Sequence, residues 1–116
     1  MGNLLVELRN IHELNEALQE SFERPILLFK HSLTCPISSR AFDELQTYLE
    51  NADSNTRYRL IKIQHAYDVS NEVASRLRVR HESPQAILVR DGREVWNASH
   101  SAITVQSLEQ AIQSSR

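Results

Sequence analysis

Pro25-Ile26-Leu27-Leu28-Phe29-Lys30-His31-Ser32-Leu33-Thr34-Cys35-Pro36-Ile37-Ser38 joins two kinds of backbone through the only cysteine in the chain. Ile26 to Phe29 is continuously apolar, as a strand covered on both faces should be. After Cys35, the residues Ile37, Ala41, Phe42, Leu45, Tyr48 and Leu49 keep one apolar face, which predicts a helix ending near Asn51. Cys35 then occupies the N-cap and Pro36 the first helical position. Proline is favoured there because its missing N–H would have been unpaired anyway.

Working outward, Leu4 to Leu8 reads as a short first strand. Asn10, with Glu13 three residues later, makes a capping-box-like start. Ile11, Leu14, Leu18 and Phe22 give a helix over about 11–22, stopped by Arg24-Pro25. Tyr58 to Gln64 reads as a strand, Ser70 as the cap of a third helix carrying Val73, Ala74 and Leu77, and Ala86 to Val89 as another strand. Asp91-Gly92 is a hairpin signal returning into Glu94-Val95-Trp96. Thr104 caps a last helix with Val105, Leu108 and Ile112 inward. Alternating strands and helices imply parallel pairing, with an antiparallel edge from the hairpin. The order resembles a thioredoxin-like α/β fold, a central mixed sheet of four to five strands with helices on both faces. Other small α/β folds share much of that order.

With 116 residues and no repeat, low-complexity tract or linker, one domain over residues 1–116 is expected. A net charge of -2 gives no basic excess pointing to nucleic acid or an anionic membrane. No apolar run approaches the ~18 residues of a membrane span. Met1 to Glu7 lacks the basic start and long apolar stretch of a secretory leader. One cysteine cannot build an internal disulfide framework, so a reducing, cytoplasmic setting is expected. The histidines and cysteine show no zinc-ligand spacing, and no metal is expected.

The chemistry centres on Cys35. An ordinary thiol is only about 3% ionised at pH 7, and about 2.7 kcal/mol of preference for the anion makes the thiolate the main form. A helix dipole supplies about 0.3–1 kcal/mol, and up to about 2 when well placed. The remainder is within reach of hydrogen bonds from the Ile37 and Ser38 amides, at about 1.5–3 kcal/mol each to a charged group. Lys30 and His31 lie just upstream, but the sequence does not fix their direction. Against this stands the plain reading of Cys35 as a small core residue. Ser38 decides the mechanism, because the position three residues on, which holds the second thiol of a C-x-x-C motif, carries a hydroxyl. A bond formed at Cys35 must therefore be broken by a thiol from outside the chain. A solvated hydroxyl in the first helical turn is the bland alternative for Ser38.

In the thioredoxin-like topology a proline just before the Ala86 strand commonly has a cis peptide bond and lies opposite the cysteine. The resemblance assigns that place to Pro84, with the backbone of Ser83 available to a substrate. Phe29-Lys30-His31-Ser32 leading into Thr34-Cys35-Pro36-Ile37-Ser38, then His81-Glu82-Ser83-Pro84-Gln85, Gly92, Trp96 and Ser99-His100-Ser101 before Ile103-Thr104, resemble the monothiol bacilliredoxins. These matches run in order over nearly the whole chain. The resemblance implies a cytoplasmic enzyme that removes bacillithiol from S-bacillithiolated client proteins, with Cys35 as the attacking sulfur. Bacillithiol is then the co-substrate thiol, and the chain a monomer or weak dimer. The buried acid usual in the strand before a thioredoxin cysteine is missing from Ile26 to Phe29, which fits a monothiol role.

Two other readings compete. One is a glutathione-dependent, glutaredoxin-like monothiol protein; the other is a redox-inert thioredoxin-like adaptor or a sensor that records oxidation. His31, His81 and His100 read as surface or loop-packing residues, with tuning of the sulfur or contact with the bacillithiol malate carboxylates as the functional alternative. His12 and His65 read as helix-face and strand-end residues. Trp96 reads as a core anchor, and Arg76, Arg78 and Arg80 as a solvated face.

Overall fold

The computed structural model describes residues 4–115. Met1 to Asn3, part of the segment read above for leader character, and Arg116 lie outside them, as do the extreme ends of the expected 1–116 domain. Among the described residues the order is β1 (Leu5–Glu7), α1 (Ile11–Glu20), β2 (Ile26–His31), α2 (Pro36–Leu49), β3 (Arg57–Lys62), α3 (Tyr67–Leu77), β4 (Gln85–Arg90), β5 (Arg93–Ser99) and α4 (Val105–Ser114). Short 3₁₀ turns cover Ile63–His65 and His100–Ala102.

The strands form one sheet in the order β1-β3-β2-β4-β5. β1, β3 and β2 pair in parallel, whereas β4 runs antiparallel to β2 and β5 antiparallel to β4. Antiparallel pairing thus reaches further than the hairpin edge expected from the alternation of elements. Alternation fixes only that the chain crosses the sheet, and α3 with the loop after it delivers β4 to β2 from the opposite direction.

Side-chain alternation along β2 divides the core. Ile26 and Leu28 join Leu14, Leu18, Val69, Val73 and Ile87 on the face covered by α1 and α3. Leu27 and Phe29 join Leu45, Tyr48, Leu88, Leu108 and Ile112 under α2 and α4. Trp96 packs against the second cluster, in keeping with an anchoring role. With helices on both faces, β2 and β4 have no solvent side, which explains their unbroken apolar runs.

Asn10 Oδ1 accepts the Glu13 N–H at 2.9 Å, while Glu13 reaches back to the Arg9 N–H at 2.7 Å. The box is reciprocal but displaced by one residue. Thr104 and Ser107 close a full capping box on α4. Ser70 does not cap α3: the helix begins at Tyr67 and the Ser70 N–H already bonds the Ala66 carbonyl at 3.1 Å. The strand expected to reach Gln64 stops at Lys62, where the backbone tightens into the 3₁₀ turn. Asp91 and Gly92 both have positive φ, 54° and 75°, the conformation of a two-residue hairpin turn matched to strand twist. That turn is fastened to the end of α1, its two amides donating to the Ser21 carbonyl and hydroxyl at 2.8 and 2.9 Å.

Candidate active site

Because β4 runs against β2, the end of β2 and the beginning of β4 meet at one end of the sheet. Lys30 pairs with Gln85, Gln85 with Ser99, and His31 with Lys62. The Cys35 loop, the Ser83-Pro84 segment, the 3₁₀ turn at Ile63–His65 and that at His100–Ala102 therefore share this end.

Cys35 is the N-cap of α2, Pro36 follows at its first position, and the thiol is partly exposed. The sulfur is not entombed as a core residue would be. The Ser39 N–H donates to the Cys35 carbonyl at 3.1 Å and closes the first turn. The side chain makes no capping hydrogen bond, so the expected pairing of sulfur with the first-turn amides is not formed in this conformation. Thr34, Pro36 and Ile37 surround it at the surface, Ile37 being 51% exposed.

Ser38 is fully buried, which overturns its reading as a solvated hydroxyl. Its Oγ accepts the Ser32 N–H at 2.9 Å and lies 2.7 Å from His31 Nδ1. The Ser32 N–H engages one lone pair, and the contact with His31 Nδ1 uses either the hydroxyl proton or the second lone pair, according to the histidine tautomer. Burial and the nearby Lys62 charge both push the His31 pKa down, which favours the neutral ring. The His31 ring stacks on Phe42, centroids 4.7 Å apart at 16°, with Phe29 at 6.2 Å. His31 is thus a loop-packing residue, and Ser38 ties the loop before the cysteine to the helix after it.

Gln64 holds the same loop from β3's side. Its Oε1 accepts the Leu33 N–H at 2.9 Å and its Nε2 donates to Ser32 Oγ at 3.0 Å. Nothing local in the sequence reveals this clamp, because its partners lie about thirty residues away in the chain and meet it only through strand pairing.

Ser83-Pro84 is a cis peptide, and Pro84 is buried. No turn or loop hydrogen bond takes up the Ser83 backbone N–H or C=O among the described residues, and its buried Oγ also has no partner. The Pro84 carbonyl accepts the His100 N–H at 3.1 Å, fixing the turn after β5 to this segment. His100 Nε2 lies 3.6 Å from Glu82.

Lys30 is fully buried on the α1/α3 side, and burial lowers its pKa to about 8. Its ammonium donates to His81 Nδ1 at 3.1 Å, with Ser70 Oγ at 3.4 Å from the same nitrogen. Burial, then the Lys30 charge, lowers the His81 pKa, against a smaller opposing effect of Glu82. His12 pairs with Glu16 at 3.8 Å on exposed α1; His65 lies in the 3₁₀ turn, 4.0 Å from Glu7. Arg76 meets Glu72 at 2.8 Å on α3. Among the described residues no group of three or more His, Cys, Asp or Glu is placed to hold a metal, and no helix is long and apolar enough to cross a membrane.

The geometry supports nucleophilic thiol chemistry at a strand-to-helix junction that shares one end of the sheet with a cis-proline. A family model described as monothiol bacilliredoxin BrxC matches residues 6–108. A solved structure of a protein described as a candidate oxidoreductase with a thioredoxin fold is 34% identical, with TM-score 0.83 over 93% of both chains. Thioredoxin from Fasciola hepatica superposes with TM-score 0.74 at 15% identity, covering 96% of this chain and 99% of its own. Thioredoxin NaTrxh from Nicotiana alata gives 0.77 at 14% identity, covering 100% and 96%. The last two likenesses concern the fold alone, and the fold is thioredoxin-like.

Proposed function

The chain belongs to the monothiol bacilliredoxin family, and from that footing we propose that it removes bacillithiol from S-bacillithiolated client proteins. The reading is carried by Ser38, a buried, fully engaged hydroxyl at the place where a second sulfur would resolve the exchange internally. Membership supports a thiol redox role; the choice of client and co-substrate is our inference.

In the proposed cycle the Cys35 thiolate attacks the bacillithiol sulfur of the client's mixed disulfide. The old S–S bond breaks, the client cysteine leaves as thiolate and takes a proton from solvent, and a Cys35–bacillithiol disulfide forms. A second bacillithiol thiolate attacks the bacillithiol sulfur of that bond. Bacillithiol disulfide departs and Cys35 returns to thiolate, so the chain ends unchanged. Thr34, Pro36, Ile37 and Ser38 shape the loop and helix start around the sulfur. Ser83, held by the cis bond to Pro84, offers the incoming disulfide an unpaired backbone N–H and C=O.

Incubation of wild type and Cys35→Ser with a bacillithiolated protein, followed by intact-mass measurement, tests this. Transfer of one bacillithiol to wild type alone is expected. Absence of transfer, or exchange confined to glutathione adducts, would overturn it.

A further inference from the structure

We propose that a cavity along the first turns of α2, its lining starting at Ile37, seats the acidic portion of the small thiol exchanged at Cys35, with Arg40 as its carboxylate-recognising residue. The proposal rests on the reading above, in which a low-molecular-weight thiol is exchanged at Cys35.

The cavity, about 550 Å³, is lined by Ile37, Arg40 and Glu44 of α2 and by His100, Ser101 and Thr104 across from them. Its size is within the roughly 300–1,000 Å³ of small-molecule sites. One wall begins two residues beyond the cysteine. The opposite wall is fastened to the cis-proline segment through the His100–Pro84 hydrogen bond. Both walls therefore lie at the end of the sheet that carries the Cys35 loop.

The polar groups of the cavity are unequally committed. Glu44 Oε1 accepts the Val105 N–H at 2.9 Å, so its charge is held at the positive end of α4. The Thr104 hydroxyl accepts the Ser107 N–H at 3.0 Å, and His100 faces Glu82. Arg40 is exposed and has no hydrogen bond or ion pair among the described residues, although Glu44 stands four residues on; the Ser101 hydroxyl is likewise unengaged. An unpaired guanidinium in a cavity with an apolar floor of Ala41 and Ile103 suits a carboxylate, which it can meet with two parallel hydrogen bonds. Arg40 follows Cys35 by about 7.5 Å of helix rise, a span that a thiol with its carboxylate several bonds from sulfur can bridge.

The test compares the rate at which Cys35 of the full chain reacts with bacillithiol disulfide, with glutathione disulfide, both carboxylate-bearing, and with neutral bis(2-hydroxyethyl) disulfide. Arg40→Gln is expected to lower the bacillithiol-to-neutral rate ratio about fivefold to twentyfold, as for loss of one partly exposed charge-assisted hydrogen bond. Arg40→Lys should recover most of that ratio. Arg93→Gln, which removes the same charge at the hairpin end of the sheet, should leave it in place. A ratio within about twofold of wild type in Arg40→Gln overturns the proposal even where wild type transfers bacillithiol normally. If wild type favours glutathione disulfide and Arg40→Gln lowers that ratio instead, the carboxylate site stands and the bacillithiol reading falls.

Discussion

Replacing Lys30 with Met should make the protein more stable, and the gain should disappear in alkali. The ammonium is fully buried with a single neutral histidine nitrogen as its hydrogen-bond partner. Its pKa falls from 10.5 to about 8 because burial disfavours the charged form. A shift of that size corresponds to about 3 kcal/mol held against the folded state at pH 7. Methionine fills nearly the same volume without the charge but forfeits the bond to His81, leaving an expected gain of about 1–3 kcal/mol. The pH dependence follows from proton counting. Between pH 8 and 10.5 the unfolded chain holds the Lys30 proton and the folded chain has released it, so wild-type stability rises with pH across that window. Below it both states are protonated and the penalty is constant; above it both are neutral and the penalty is gone. Urea unfolding of both proteins at pH 7, 9 and 10.5 measures this, with a midpoint displaced by about 1 M at neutral pH given slopes of about 1–3 kcal/mol/M. The His81 imidazole, freed of the neighbouring charge, should also titrate higher by NMR. Equal midpoints at pH 7, or a difference that does not shrink toward pH 10.5, would refute the reasoning.

Two further perturbations bear on the loop before the thiol. Ser38→Ala removes the acceptor of the part-buried Ser32 N–H and the hydroxyl partner of His31, and should cost about 1–3 kcal/mol in chemical unfolding while speeding amide exchange at Ser32 and Leu33. His31, held neutral in the fold, lets the unfolded chain bind the extra proton as pH falls through about 6.5. Stability should drop on acidification below that point, and His31→Gln should flatten the decline in urea midpoints between pH 7 and 5.

The local elements were legible because each is written in a few neighbouring residues. Cys35-Pro36 marks the start of α2, Thr104 that of α4, and Asp91-Gly92 the hairpin turn, all through chemistry reaching no further than four positions. What could not be read depends on partners far along the chain. The antiparallel entry of β4, the Gln64 clamp on Ser32 and Leu33, and the Lys30–His81 contact arise only when the sheet assembles. Ser70 misled because a serine ahead of an apolar stripe looks the same as a cap or as a buried first-turn residue. Ser38 misled in the opposite way: a hydroxyl in a first turn is commonly wet, and only the inward fold of His31 seals it. The strand-to-helix placement of Cys35 was visible; the residues that hold its loop were not.

A polypeptide with one thiol and a sealed hydroxyl at the neighbouring turn keeps no private reserve of oxidising equivalents. In the proposed cycle, every electron pair that crosses Cys35 comes from the surrounding pool of small thiols and ends on the client's sulfur. The balance between bare and capped protein would then follow the ratio of that pool's disulfide to the square of its thiol, multiplied by the thiol concentration. Making more of the chain would change how quickly clients are cleared, and leave the resting point where the pool sets it.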